Sequence, residues 1–314
     1  MISQIVRRLV SAVPVLVLVG FIVFSILYVA PGDPAVVIAG DRASPEEIRH
    51  VREMLGLDRP FLVRFAEWFW HILHGDLGHS VFNGASVTGL ILDRLGATMS
   101  LMLITMIISV LIAVPLGVAA AWRAGGWIDR MVVGLSVIGF SVPVFVFGYI
   151  LAYIFSRQLQ WLPVQGYKDI TEGVWPWLRN LILPSLTLST VYIALIARVT
   201  RASMLEVLGQ DYIRTARAKG ASRSAILFVH ALKNAGVPII TVIGIGVALL
   251  IGGAVVTETV FAIPGLGRLT LDAIAMRDYP IIQGVVLVFS FAYVIVNLII
   301  DISYVLVDPR IRYR

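Results

Sequence analysis

Six apolar stretches, at residues 9–30, 97–121, 131–155, 181–197, 237–256 and 281–300, constrain this chain more than any other feature. A hydrocarbon core takes about 20 residues of helix to cross, and inside lipid every backbone N–H and C=O must find its partner within the protein. Each stretch reaches or approaches that length, the fourth being the shortest. The pattern predicts an all-α integral membrane protein with six transmembrane helices. Composition agrees: 59% of the 314 residues are hydrophobic and 14% charged, more apolar surface than a soluble globule of this size can bury. Pro115, Pro143 and Pro184 fall inside or at the edge of these spans, where neighbouring helices can satisfy the carbonyls that proline frees. Cysteine is absent, which excludes a disulfide framework, a thiolate metal site and a cysteine nucleophile.

Arg7 and Arg8 ahead of an apolar run also describe a signal peptide. The run from Leu9 to Ala30 is 22 residues long, against about 7 to 15 for the apolar region of a signal, and no small-residue cleavage site follows it. A retained first span is expected.

Charge sets the orientation. With a cytoplasmic N-terminus, segments 1–8, 122–130, 198–236 and 301–314 share one side and carry a net +9, whereas 31–96, 156–180 and 257–280 carry a net −3. The short loops carry this bias, and it places both termini in the cytoplasm.

The loop at 31–96 is the longest segment outside the spans and has helical signals of its own. Ser44, Pro45 and Glu47 supply an N-cap, a first-turn proline and a capping-box partner, with Ile48, Val51 and Leu55 on one face and Gly56 as a stop. A second helix is expected from Pro60 to His74, ending at Gly75, with Trp68, Phe69 and Trp70 suited to the membrane interface. His71, His74, Asp76 and His79 could be drawn as a metal site, but nothing in the sequence fixes the geometry beyond the helix, and no metal is expected. No HExxH, GxSxG or GxxxxGK[ST] occurs, and no carboxylate pair lies mid-span, so no catalytic residues are assigned. Glu258 and Asp301 fall near opposite ends of their spans, facing interfaces or partner helices.

Residues 211–236, DYIRTARAKGASRSAILFVHALKNAG, are unusually basic for such a chain. The pattern predicts a first helix through Ile213, Ala216 and Arg217, a stop and hinge at Gly220, and a second helix after Ser222 presenting Ile226, Val229, His230 and Lys233. A DNA-reading helix-turn-helix fits poorly with spans close on both sides and no dimeric arm. The remaining readings are a positive-inside loop with no partner and a helix pair that seats in a groove on a cytoplasmic protein.

This loop resembles the EAA loop of ABC-importer permeases, and RTARAKG has the form seen in the dipeptide, oligopeptide and nickel branch. The resemblance runs along nearly the whole chain: APGDP at 30–34, LGLDRP at 55–60, HGDLG at 74–78, SMLEVLGQDYIRTARAKG at 203–220, HALKNA at 230–235, TETVFAIPGLGRL at 257–269, RDYP at 277–280 and DPRIR at 308–312 follow in order. Where the wider family carries Glu this chain has Arg214, as is usual for the peptide branch, which leaves open the charge pair that anchors the loop.

The resemblance implies the type I ABC importer permease fold, with a first helix and an extracytoplasmic scoop loop in 1–96 and a five-helix core in 97–314 bearing the coupling loop 198–236. The expected partners are a homologous second permease, two cytoplasmic ATPase subunits, an extracytoplasmic solute-binding protein and membrane lipid, with no nucleic acid. ATP and Mg2+ would bind the ATPases, and this chain no cofactor. Asp211, Arg214, Ala216, Lys219, Gly220, His230 and Asn234 would form the ATPase-coupling surface. Glu258, Phe261, Pro264, Gly265, Leu266 and Gly267 are the candidate gate, because Pro264, Gly265 and Gly267 break any helix in an apolar segment, and such backbone is tolerated only where protein or a water-lined path covers it. A simple surface turn is the alternative. The implied location is the inner membrane of a bacterium or archaeon. The solute is left open among peptides, glutathione, opines, nickel chelates and oligosaccharides. An ion-coupled carrier or a membrane enzyme is the competing class, separated from the first by whether uptake needs a separate ATPase.

Overall fold

Proline or glycine follows most of the helices, with Gln160 and Arg277 taking the left-handed turn after two others. The computed structural model describes residues 2–29, 33–40, 43–54 and 56–307. Ala30 to Gly32 of APGDP, Leu55, and the whole of DPRIR lie outside the described residues.

After the first helix, α1 (Ile2–Val29), come three shorter ones, α2 (Pro34–Ala39), α3 (Pro45–Met54) and α4 (Phe61–Leu73). The long α5 (Val87–Trp122) precedes α6 (Trp127–Ser141) and α7 (Val144–Leu151), which continues as a π-helical segment, Ala152–Gln158. A 3-10 turn at Ile170–Glu172 leads into α8 (Val174–Leu208). The basic stretch holds α9 (Asp211–Ala218), a π-helical segment Ala225–Ala231 and α10 (Leu232–Asn234), followed by α11 (Gly236–Val260), α12 (Leu266–Met276) and α13 (Tyr279–Val307).

Val87–Trp122, Val174–Leu208, Gly236–Val260 and Tyr279–Tyr304 are each long and apolar enough to cross a membrane. Val10–Ile26 in α1 is a shorter apolar helical stretch. The third predicted span, 131–155, is not one straight helix: α6 and the helix from Val144 to Gln158 meet at 103°. Pro143 explains the break. It has no N–H to donate back, and its ring pushes Val142 out of the helical region to φ −93 and ψ 126.

The described residues divide into two compact units, one of 97–264 with 296–307 and one of 2–96 with 265–295. In the first, α8 is central, packed against α6, α7 and α11. Small residues permit this closeness. A methyl group on Gly139 of α6 would lie 2.9 Å from the Ala194 side chain and 3.2 Å from the Thr190 carbonyl of α8, so the two helices approach closely only because a glycine stands there. Leu181, Leu183, Leu188 and Ile196 of α8 are fully buried in the core of this unit.

In the second unit α4 lies against α1. Phe24 meets Phe61, Phe65 and Trp68 at ring distances of 5.4, 5.6 and 5.1 Å, largely edge-on. Trp68 therefore spends its ring on α1, while Trp70 stays exposed. The α3 cap forms as the sequence predicts: the Ser44 N–H donates to Glu47 at 2.7 Å and the Glu47 N–H returns to Ser44 Oγ at 3.3 Å. The Ser44 N–H and the Ser44 hydroxyl, both donating to it, hold the Glu47 carboxyl below the usual carboxylate range. Ser80 Oγ donates to the buried Asp278 carboxylate, which ties the loop after α4 to the start of α13.

Candidate functional site

The basic stretch folds around one apolar anchor. Ile213 of α9 is 1% exposed and packs with Ile226, Leu227 and Ala231 against Met204 of α8 and Val118 and Ala121 of α5. Burying an isoleucine stabilises by about 1.5–3 kcal/mol. The Arg214–Asp211 pair, 3.3 Å apart, is exposed on both sides, and such a helix pair contributes at most about 0.5 kcal/mol. Within this chain the segment is therefore held by apolar packing and not by the Arg214–Asp211 pair.

Gly220 stands at φ +80, where a side chain is strained. Its N–H donates to the Arg217 carbonyl at 3.0 Å, and the Ala221 N–H to the Ala216 carbonyl at 3.1 Å, closing α9 in a left-handed C-cap. Ser222 Oγ accepts from the Ala225 N–H at 3.2 Å and opens the next helix. That helix departs from the sequence expectation. It is π-wound at Ala225–Ala231, so each turn carries an extra residue; Ile226, Leu227 and Ala231 turn inward, while Val229 is exposed and does not share the Ile226 face. Asp211, Arg214, Lys219, Gly220 and Asn234 are exposed, with Ala216 and His230 half-buried and the Asn234 amide donating to the His230 carbonyl at 2.7 Å.

Two features at this end escaped sequence reading. Asp129, at the start of α6, accepts from Arg201 of α8 through both carboxylate oxygens, one contact being 2.9 Å, and from the Gly125 N–H at 2.8 Å. Asp129 was legible only as the one acid in a short basic loop. Trp122, the last residue of α5, has the Arg217 and Arg223 guanidinium groups 5.8 and 4.7 Å from its ring centre.

The candidate gate is more ordered than predicted. After α11, Ala262 adopts φ +50 and the Ile263 N–H returns to the Glu258 carbonyl at 2.8 Å. Gly265 then takes an extended conformation as the N-cap of α12, accepting from the Leu269 N–H at 3.1 Å. Gly267 sits inside α12 and does not break it, which corrects the sequence expectation. Glycine keeps its N–H and can take helical angles, and its entropic cost of about 1 kcal/mol or less is too small to end a helix. Glu258 is fully buried and accepts from Thr98 Oγ1 at 2.6 Å. Phe261 is 1% exposed, lies against Gly148 and Thr187, and its carbonyl accepts from the Gly166 N–H at 3.1 Å. Leu266 is buried in the second unit with Leu269 and Ala273.

The histidines of α4 are engaged elsewhere. His71 lies 3.7 Å from Asp76, and His74 Nδ1 is 2.8 Å from the Trp70 carbonyl. Among the described residues no three His, Asp or Glu side chains are grouped to hold a metal.

Comparison with known proteins gives a consistent result. Residues 113–313 match the family model described as "Binding-protein-dependent transport system inner membrane component", and residues 1–102 match its N-terminal companion. A protein named as a probable peptide ABC transporter permease, from Sinorhizobium fredii, is 58% identical over 309 residues, covering 98% of this chain and 99% of its own. A putative peptide transport system permease protein of Brucella abortus is 44% identical over 313 residues, with 100% of both chains covered. The glutathione transport system permease protein GsiC of Salmonella typhimurium is 42% identical over 314 residues, again with 100% of both covered.

Proposed function

The chain belongs to the family of binding-protein-dependent transport system inner membrane components, the transmembrane subunits of ABC importers, and on that premise we propose that it forms half of a translocation path for short peptides. The other half is a homologous permease, and an extracytoplasmic binding protein delivers the solute. Peptides are favoured because the Sinorhizobium and Brucella relatives carry that solute in their names, with glutathione, itself a tripeptide, in a third.

The observation that carries the mechanism is α9. Its Ile213 face is sealed onto α5 and α8, while Asp211, Arg214 and Lys219 project from the bundle. A short helix fixed on one side and exposed on the other can pass a displacement into α8 without unfolding. Two cytoplasmic ATPases, carrying the ATP and Mg2+, would dock on residues 198–236 and drive that displacement; this chain hydrolyses no ATP itself. Both termini lie in the cytoplasm, as the +9 against −3 charge bias favours.

At the outer side, the turn from Glu258 to Gly265 acts as the gate. Phe261 and the buried Glu258–Thr98 hydrogen bond hold it in the position described. Movement of α11 would carry this turn with it.

The test is reconstitution of the full importer in proteoliposomes with its binding protein, using a labelled dipeptide, a tripeptide and glutathione. Uptake that needs ATP hydrolysis and persists after ion gradients are collapsed is the expected result. Uptake without ATP, or of none of the three solutes with ATP turning over, overturns the reading.

A further inference from the structure

Beside α9 lies an open groove of about 640 Å³ with an apolar floor and wall of Ala121, Trp122, Leu205, Leu208, Ala221 and Ile226. Arg217 and Arg223 complete the lining, and among the described residues that line it there is no acid. Arg217 of α9 lines the groove together with residues of α5, α8 and the segment after Gly220, and Arg214 does not. Trp122 ends the apolar α5, the position at which an indole ring sits at headgroup depth.

We propose that this groove is a binding site for an anionic phospholipid of the cytoplasmic leaflet, the phosphate held between Arg217 and Arg223 and one acyl chain lying over Leu205, Leu208 and Ile226. Three observations meet here. The two guanidinium groups offer planar donors that match phosphate oxygens, and the indole ring keeps both close to the groove mouth. The floor is apolar where water would otherwise stand. The groove terminates a membrane-crossing helix, so a lipid reaches it by lateral diffusion. A bound lipid would fill the angle between α5, α8 and α9 and stiffen the attachment of α9. This goes beyond the transport reading and does not depend on which solute is carried.

The experiment uses the full-length chain assembled with its ATPases in nanodiscs of phosphatidylcholine and phosphatidylglycerol at four to one. Native mass spectrometry counts retained lipids of each class. Wild type is expected to retain phosphatidylglycerol above its bulk share. The double variant Arg217→Gln/Arg223→Gln is expected to lose about 30-fold of that preference, since each basic group near an anionic surface contributes about fivefold. Arg217→Lys/Arg223→Lys should keep most of it. A second measurement needs neither double variant: brominated phosphatidylglycerol should quench tryptophan fluorescence more than brominated phosphatidylcholine, and Trp122→Phe should abolish the difference. Equal retention of phosphatidylglycerol by wild type and the Gln variant overturns the proposal. So does loss of the ATPases from the Gln variant with its lipid preference intact, which would give the groove to a protein partner, or a quenching difference that survives Trp122→Phe.

Discussion

Arg201 of α8 grips both carboxylate oxygens of Asp129 across 72 residues of sequence, and the Asp129 side chain is only 7% exposed. The pair joins the start of α6 to the part of α8 that leads into Met204, on which Ile213 rests. Removing one partner leaves a charge without its counter-ion, which costs more than removing both. Asp129→Asn is expected to lower the unfolding midpoint of the detergent-purified complex. The loss should fall below the about 3–5 kcal/mol typical of a fully buried pair, because Arg201 is partly exposed. The double variant Asp129→Asn/Arg201→Gln should recover part of it. A double variant no more stable than Asp129→Asn would show that the pair is not coupled.

Gly220 joins the two helical parts of the segment proposed to couple to the ATPases, and a methyl group there would meet no atom within 4 Å. The cost of replacing it is therefore conformational and not steric. Gly220→Val forces a branched residue to φ +80 and should loosen the α9 cap by about 1–2 kcal/mol. The chain should still insert, because no span is touched, but its ATPases should be lost on purification and uptake should fall with them. Gly220→Asn, which tolerates this backbone, should behave close to wild type. Normal ATPase recovery and uptake in Gly220→Val would remove the hinge from the mechanism.

Ala262 holds φ +50 without being glycine, between the buried Phe261 and Ile263. Surrounding packing sustains that conformation. Ala262→Gly should be neutral or raise stability by about 1 kcal/mol, whereas Ala262→Val should lower it by at least as much. Thermal unfolding of the two variants side by side reads the difference, and equal midpoints would contradict it.

Gly265→Trp places the largest side chain at the N-cap of α12, in the turn assigned as the gate. Uptake should stop while the complex stays assembled, measured in membranes with equal complex content. Transport at the wild-type rate would reduce this segment to a structural turn.

Single thiols test the orientation, and the absence of native cysteine leaves no background. Asn83→Cys tests the side proposed to be outer, since Asn83 is exposed whereas the neighbouring Ser80 is buried on Asp278. It should react with an impermeant maleimide in intact cells. Ser224→Cys, exposed beside the π-helical segment, should react only after lysis. Labelling of Ser224→Cys from outside would invert the topology.

What the sequence determined by itself was every feature whose cause lies within a few residues. Apolar length marked the spans, because a continuous apolar run of about 20 residues can satisfy its own backbone in lipid as a helix. Ser44 with Glu47 marked the start of α3, and Gly220 marked the end of α9, because caps and left-handed turns are made by adjacent backbone atoms. The ordered motifs carried the family in the same local way. The tertiary structure alone decided what depends on the path of the chain. Pro143 marks a break between α6 and α7, but whether it kinked a helix gently or turned it by 103° was visible only in the structure. The π-winding of Ala225–Ala231, which turns Ile226, Leu227 and Ala231 inward, has no local signature in the sequence. Asp129 with Arg201, Thr98 with Glu258 and Phe24 with Trp68 carry no mark of their partners in the sequence. A buried polar or aromatic group needs a partner, but which one it meets is fixed only when distant helices are brought side by side.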